Sequence, residues 1–322
     1  MHQQKALFPR GGAATESGMK KLLLFSIIVA LACLARGAAA EPAAAWDNSR
    51  TLLGTWEKIA SDAKGRVGAA VMLLESSESA DLNGDEYFVM QSVYKLPIAM
   101  AALQRVDKGE LKLDQMVKVE KRDFVGQGVY SPVRDKYPDG ARLSLAELVR
   151  YTISESDGTT SDVLMNLVGG ARGVMAFLTE IGVSGINVVN LEKEIGRDWQ
   201  TQYENSATPK AAVQLLAALQ ARRGLSAESR ALVLKLMIES VPGARRIKGQ
   251  LPAGTVVAHK TGTGGTRDGI TSATNDIGII TLPDGRHLAV AVFISDAAGD
   301  DAAREGVIAR IANAAWDAVV KR

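Results

Sequence analysis

Cysteine is almost absent from these 322 residues: Cys33 is the only one, and it lies in an apolar stretch near the N-terminus. With that stretch removed, the remaining chain has no disulfide, no thiolate nucleophile and no thiolate metal ligand. Histidine is nearly as scarce, with His2, His259 and His287 alone. Two distant histidines without cysteine make a poor zinc site, so no metal and no other cofactor is expected. On a strand, His259 faces away from Lys260 because successive side chains alternate, which leaves a Ser-His-Asp triad little support. Charge of one sign is also lacking: 38 Lys and Arg against 36 Asp and Glu leave a formal net charge of +2. The basic residues are scattered, and no nucleic-acid partner is expected. No apolar run reaches the ~20 residues that a membrane-spanning helix needs. Any hydrolytic chemistry must then rest on Ser, Lys and carboxylates.

What is present is an ordinary globular composition, 47% hydrophobic and 23% charged, with ample apolar content for a core. Near the N-terminus, Lys20 and Lys21 follow Met19, an apolar run covers 22–34, and Ala38-Ala39-Ala40 supplies small residues. This is the form of a cleaved signal peptide over 19–40, with 1–18 an upstream extension and the mature chain 41–322. A secreted or periplasmic protein is expected, free of the membrane after cleavage; acylation of Cys33 as a lipoprotein is the alternative.

Leu52, Trp56, Ile59 and Ala60 recur at helical spacing and predict a helix over 46–63. Strands are predicted over 67–74 and 86–90, separated by a turn at Asp81-Leu82-Asn83-Gly84-Asp85. Helical segments follow at 92–109, 144–154, 159–182, 208–222 and 226–240, punctuated by Gly, Pro and Asp. Strand character returns at 255–263, 274–282 and 287–295, with Pro283-Asp284-Gly285-Arg286 as a hairpin turn, and 302–321 closes as a helix. Strands at both ends of a helical block predict an α/β fold. One antiparallel sheet, flanked by helices, comes from about 41–90 and 241–322, and an all-α lobe over about 91–240 is inserted between them, leaving a cleft.

Ser-x-x-Lys places a lysine one helical turn from a serine hydroxyl, and a lysine in apolar or cationic surroundings gives up its proton more readily. The pattern occurs three times, at Ser17/Lys20, Ser61/Lys64 and Ser92/Lys95. Only Ser92-Val93-Tyr94-Lys95 follows a predicted strand and opens an apolar helix, whose N-terminal dipole end favours a nucleophile. Pro97 fits imperfectly, because it falls just beyond the first turn, where proline costs nothing. Ser156-Asp157-Gly158 lies between two helical segments and also reads as ordinary N-capping. Lys260-Thr261-Gly262 lies in a returning strand and also reads as an edge strand with a protective lysine.

Taken together, Ser-x-x-Lys, a Ser-Asp motif and Lys-Thr-Gly form the signature of class A β-lactamases and penicillin-binding proteins. The resemblance extends further. Ser92-Val93-Tyr94-Lys95-Leu96-Pro97-Ile98-Ala99 resembles the class A nucleophile segment, and Tyr130-Ser131-Pro132-Val133 the stretch with its pocket-wall aromatic. Leu251-Pro252-Ala253-Gly254 leading into Lys260-Thr261-Gly262-Thr263-Gly264 is similar to the third motif. Ala273-Thr274-Asn275-Asp276-Ile277-Gly278 and Leu282-Pro283-Asp284-Gly285-Arg286 match the strands that follow. Asp162, His259 and Gln202-Tyr203-x-Asn205 resemble the branch that contains the PER-type extended-spectrum enzymes. Two positions depart from the common pattern: Gly158 stands where the second motif usually ends in Asn, and Gly196 where many members carry an Asn that holds water.

The resemblance implies a secreted serine β-lactamase that opens the β-lactam ring of penicillins and cephalosporins, conferring antibiotic resistance. It implies Ser92 as nucleophile, Lys95 as its basic partner, Ser156 as proton donor to the leaving nitrogen, and Lys260 as its electrostatic support. Tyr130, Gly158, Thr261, Gly262, Thr263 and Arg246 would contact substrate, with the guanidinium of Arg246 behind the substrate carboxylate. The deacylating base would come from Glu192, Glu194 or Glu204, with Glu192 favoured by its spacing of seventeen residues before Pro209. Partners beyond the small β-lactam are not expected, and a monomer is the default. The alternatives are a penicillin-binding D,D-peptidase with slow deacylation, or a catalytically silent β-lactam sensor domain.

Overall fold

The computed structural model describes residues 49–321. The signal segment expected over 19–40, Cys33, His2 and the first residues of the predicted 46–63 helix lie outside the described residues. The chain opens with α1 (Ser49–Ala60), β1 (Arg66–Leu73), β2 (Ser79–Leu82) and β3 (Phe88–Val89). A 3₁₀ turn, Gln91–Tyr94, leads into α2 (Lys95–Asp107), followed by β4 (Met116–Val119), α3 (Pro132–Lys136) and β5 (Ala141–Ser144). Then come α4 (Leu145–Ser154), α5 (Gly158–Leu167), α6 (Gly170–Glu180), β6 (Ile186–Asn187), α7 (Glu192–Ile195), β7 (Ser206–Ala207), α8 (Pro209–Gln220) and α9 (Ala227–Ile238). The chain closes with β8 (Val257–Thr263), β9 (Thr266–Arg267), β10 (Ile270–Thr281), β11 (His287–Ala297) and α10 (Asp301–Val320).

The main sheet runs β2-β1-β11-β10-β8, antiparallel throughout, with β9 pairing β10. Strands from both ends of the chain meet where β1 pairs β11 in the register Val67↔Ile294 to Leu73↔Leu288. Alternation then divides the core. On β11, Leu288, Val290, Val292 and Ile294 belong to the layer under α1 and α10, whereas Ala289, Ala291 and Phe293 belong to the layer under the helical lobe. A slip of one residue would exchange these faces, so the register is firmly set. In the outer layer the fully buried Trp56 of α1 donates its indole N–H to Ile311 O of α10, at 3.1 Å.

Several boundaries differ from the sequence pattern for local reasons. The segment 159–182 is two helices, broken at Gly169-Gly170, which take φ of 93° and 69°. The predicted turn at 81–85 is shorter, because Asp81 and Leu82 pair with Ala70 and Ala69 of β1. Strand pairing at 86–90 is limited to Phe88–Val89, which joins β7 and not the main sheet. The lobe also carries an unpredicted β4–β5 pairing of two four-residue strands. Pro97 is well placed: α2 starts at Lys95, so Pro97 falls within the first turn, where its missing N–H goes unneeded.

Capping fixes the segment entering α5. Asp157 Oδ1 accepts the N–H of Thr160 at 2.7 Å, while Oδ2 accepts the Ser131 hydroxyl at 2.9 Å and the Val133 N–H at 2.8 Å. One buried carboxylate thus satisfies donors on α3, its cap and α5. We expect Asp157→Ala to strand these groups and lower stability by about 3–5 kcal/mol. The check is a urea transition with a lower midpoint and an unchanged slope.

Candidate active site

A cleft of about 820 Å³ opens between β8 and the helical lobe. Ser92, Lys95, Tyr130, Ser156, Glu192, Thr261 and Thr263 all line it. Lys260, Gly262, Gly158 and Arg246 are absent from the lining and stand behind it. Tyr130 is 64% exposed on one wall.

Ser92 occupies the 3₁₀ turn before α2. The approach to that turn is tied to the sheet by Asn275 of β10, whose Nδ2 donates to Val89 O at 2.7 Å and Met90 O at 3.0 Å. Lys95, 1% exposed, donates from Nζ to Ser156 O at 2.6 Å and lies 2.9 Å from Glu192 Oε1. Ser156 adopts a left-handed backbone, φ 59°, and its hydroxyl accepts from Lys260 Nζ at 2.8 Å. The first and third motifs therefore meet on the second, one lysine on the carbonyl of Ser156 and the other on its hydroxyl.

Both plain readings of these motifs have a local basis. Asp157 is indeed the N-cap of α5, yet the residue before it is turned toward the cleft. β8 is an edge strand, but Lys260 is not its protective lysine: the side chain is 0% exposed and directed inward to Ser156. His259, on the opposite face, places Nδ1 2.9 Å from both oxygens of Asp276. Burial pulls the Lys260 pKa well below the usual lysine range, and the Lys95 charge adds to this; Glu192 and Asp276 oppose it.

Of the three candidate glutamates, Glu192 alone reaches Lys95. Glu194 caps α7 by accepting the Leu191 N–H at 2.8 Å, and Glu204 accepts from Asn190 Nδ2 at 2.9 Å. Glu192 itself is held through its backbone, since Asp162 Oδ1 accepts its N–H at 2.7 Å and Oδ2 that of Lys193 at 3.0 Å. Arg246 is buried behind β8, and protein groups engage its guanidinium. Nη1 donates to Gly262 O at 3.1 Å and Asn275 O at 2.8 Å, and Nε faces Glu305 Oε1 at 3.3 Å. Nη2 donates to the Thr263 hydroxyl at 2.8 Å, so the guanidinium reaches the cleft through Thr263.

Residues 55–319 match the model of the beta-lactamase enzyme family. The extended-spectrum β-lactamase PER-1 of Pseudomonas aeruginosa is 40% identical over 267 residues, 83% of this chain and 86% of that protein. A β-lactamase crystal structure from Chitinophaga pinensis is 45% identical with a TM-score of 0.81, covering 83% of this chain and 99% of that one. A class A β-lactamase structure from Bacteroides cellulosilyticus, 31% identical, superposes with a TM-score of 0.80 over 85% of this chain and 99% of that one. The chain belongs to the beta-lactamase enzyme family. It is a class A enzyme that hydrolyses β-lactams.

Two residues of this β-lactamase site carried no assigned part in the sequence pattern. Asn275 is a fully buried amide between Thr274 and Asp276 on β10, and nothing in that polar stretch set it apart. Gln202 accepts on one Oε1 from both Gln91 Nε2 and Ser272 Oγ, each at 2.7 Å, joining the loop after α7 to the nucleophile turn and to β10. No periodicity reports such a tie.

Asp162 links stability to pH. Burial, and after it the Glu192 charge, pushes its carboxyl up to about 7 from an ordinary 3.8, against the two backbone N–H groups that favour ionisation. Between about pH 4 and 7 the folded enzyme keeps a proton that the unfolded chain has lost, so this group's contribution falls as pH rises. Asp162→Asn removes that titration. Its melting temperature relative to the parent enzyme should climb steadily across this window, and a flat difference would show ordinary ionisation.

Proposed function

We propose that this β-lactamase works through an acyl-enzyme on Ser92, with Glu192 the base that releases it. The observation that carries the reading is the buried cluster in which Lys95 contacts both Glu192 Oε1, at 2.9 Å, and Ser156 O, at 2.6 Å, beside Ser92 in one cleft. Ser92 Oγ attacks the lactam carbonyl carbon and loses its proton to Lys95, or to Glu192 through a water. The N–H groups of Ser92 and Thr263 receive the oxyanion, donors that matter most as charge develops. As the carbon–nitrogen bond breaks, the Ser156 hydroxyl protonates the nitrogen and regains the proton that Ser92 released, while Lys260 supports the hydroxyl at 2.8 Å. In the second half, Glu192 takes a proton from the water that attacks the ester, and the proton returns to Ser92 as the product acid leaves.

Thr261 and Thr263 receive the substrate carboxylate, with Lys260 and Arg246 supplying positive charge from behind the strand. Gly158 offers no side-chain amide to the substrate's acyl group, and its own N–H donates to Tyr130 O at 3.1 Å. Export to the periplasm or medium after cleavage near residue 40 suits this activity, as does a monomer. Among the described residues, 49–90 and 241–321 make up the α/β part, and 91–240 the inserted lobe.

Replacing Glu192 with Ala should leave a burst of acylation and slow deacylation by about 10²–10⁴-fold. Mass spectrometry would then show the acyl adduct accumulating on the Ser92 peptide and absent from Ser92→Ala. Steady full turnover by Glu192→Ala would refute the assignment. Arg246→Ala should raise KM for penicillins about tenfold with kcat little changed, if the contact is shared by ground and transition states. Unaltered KM would pass the carboxylate to other cations.

A further inference from the structure

Val129 lies in the 124–131 loop, and its two methyl groups face two glycines, Gly196 in the cleft lining and Gly158 behind it. A Cβ placed on Gly158 would lie 3.1 Å from Val129 Cγ1 and 3.2 Å from Tyr130 O. A Cβ placed on Gly196 would lie 2.6 Å from Val129 Cγ2, far inside the ~3.5–4.0 Å at which carbon atoms pack best. The isopropyl group therefore seats on bare backbone on both sides. Gly158 ends the second motif and opens α5, and Gly196 closes α7, donating its N–H to Glu192 O at 2.9 Å. The loop under Val129 is itself pinned: Arg134 Nη1 donates to Gly126 O at 2.6 Å and Val129 O at 2.9 Å, and Gly158 N donates to Tyr130 O at 3.1 Å. A β-branched side chain suits the seat, since two methyls leave a single Cβ at stiff angles.

We propose that Val129 is a positioning residue, a wedge between Gly158 and Gly196 that sets how far the Glu192 segment stands from the second motif. The inference rests on Glu192 as the deacylating base, with Lys95 the base for acylation. Displacing that carboxylate by a fraction of an ångström weakens its hold on the attacking water, while the Ser92 turn, on a different element, is left in place. The wedge thus tunes release of the acyl-enzyme and not its formation.

The test separates the two half-reactions with a chromogenic cephalosporin, by burst rate and steady-state rate, in a double-mutant cycle. Gly196→Ala should keep the burst rate within about twofold and slow deacylation about tenfold or more, because its Cβ meets the wedge. Adding Val129→Ala should restore most of that loss, and Val129→Thr, of the same shape, should behave as the parent enzyme. Multiplicative losses in the double variant, or parent-like deacylation in Gly196→Ala, would overturn the proposal. Should Gly196→Ala fail to melt cooperatively, Val129→Ala alone decides it. Slowed deacylation with intact acylation supports the wedge, and equal changes in both steps overturn it. Failure of the Glu192 reading is distinguishable, since Glu192→Ala would then turn over fully whatever residue 129 is.

Discussion

Two ammonium groups buried against one serine set the terms for the whole cleft. Lys95 and Lys260 are essentially inaccessible, and both hydrogen-bond to Ser156. Such charges are costly to bury unless partners surround them. Glu192 faces Lys95, while Asp276 lies near Lys260 and is in turn engaged by His259 and the Ile247 N–H. The arrangement is chemically useful, since the Lys95 charge lowers the proton affinity of Lys260, whose ammonium supports the Ser156 hydroxyl.

Holding those charges in place requires three elements that do not move independently. β8 brings Lys260, α2 brings Lys95, and the turn before α5 brings Ser156 with its left-handed backbone. The sheet register sets the first, Asn275 locks the approach to the second, and the Asp157 carboxylate anchors the third. These restraints are hydrogen bonds to buried groups, which are expensive to leave unmade. Rigidity at the site is thus a by-product of satisfying the polar atoms that the chemistry needs buried.

The Glu192 segment is tethered differently. Asp162 holds it by two backbone N–H groups, Gln202 ties the following loop to the nucleophile turn, and Val129 packs against its glycine end. Hydrogen bonds and a van der Waals contact share the task. Substitution here is therefore expected to move the water-activating carboxylate more readily than the nucleophile.

By itself the sequence determined most of the long elements and the chemistry-bearing triplets. The apolar run of β11 and the apolar stripe of α1 are local patterns, and Ser92 stood out from two other Ser-x-x-Lys patterns by its strand-to-helix setting. Only the tertiary structure decided which glutamate faces Lys95, that Lys260 points inward from an edge strand, and that Arg246 reaches the cleft through Thr263. It alone revealed the pairing of β2 with β1 and the seat of Val129 between two glycines. The reason is range. Lys95 and Lys260 reach Ser156 across 61 and 104 residues of chain. Which side chains meet over such distances is settled by strand register and packing, which no local pattern encodes.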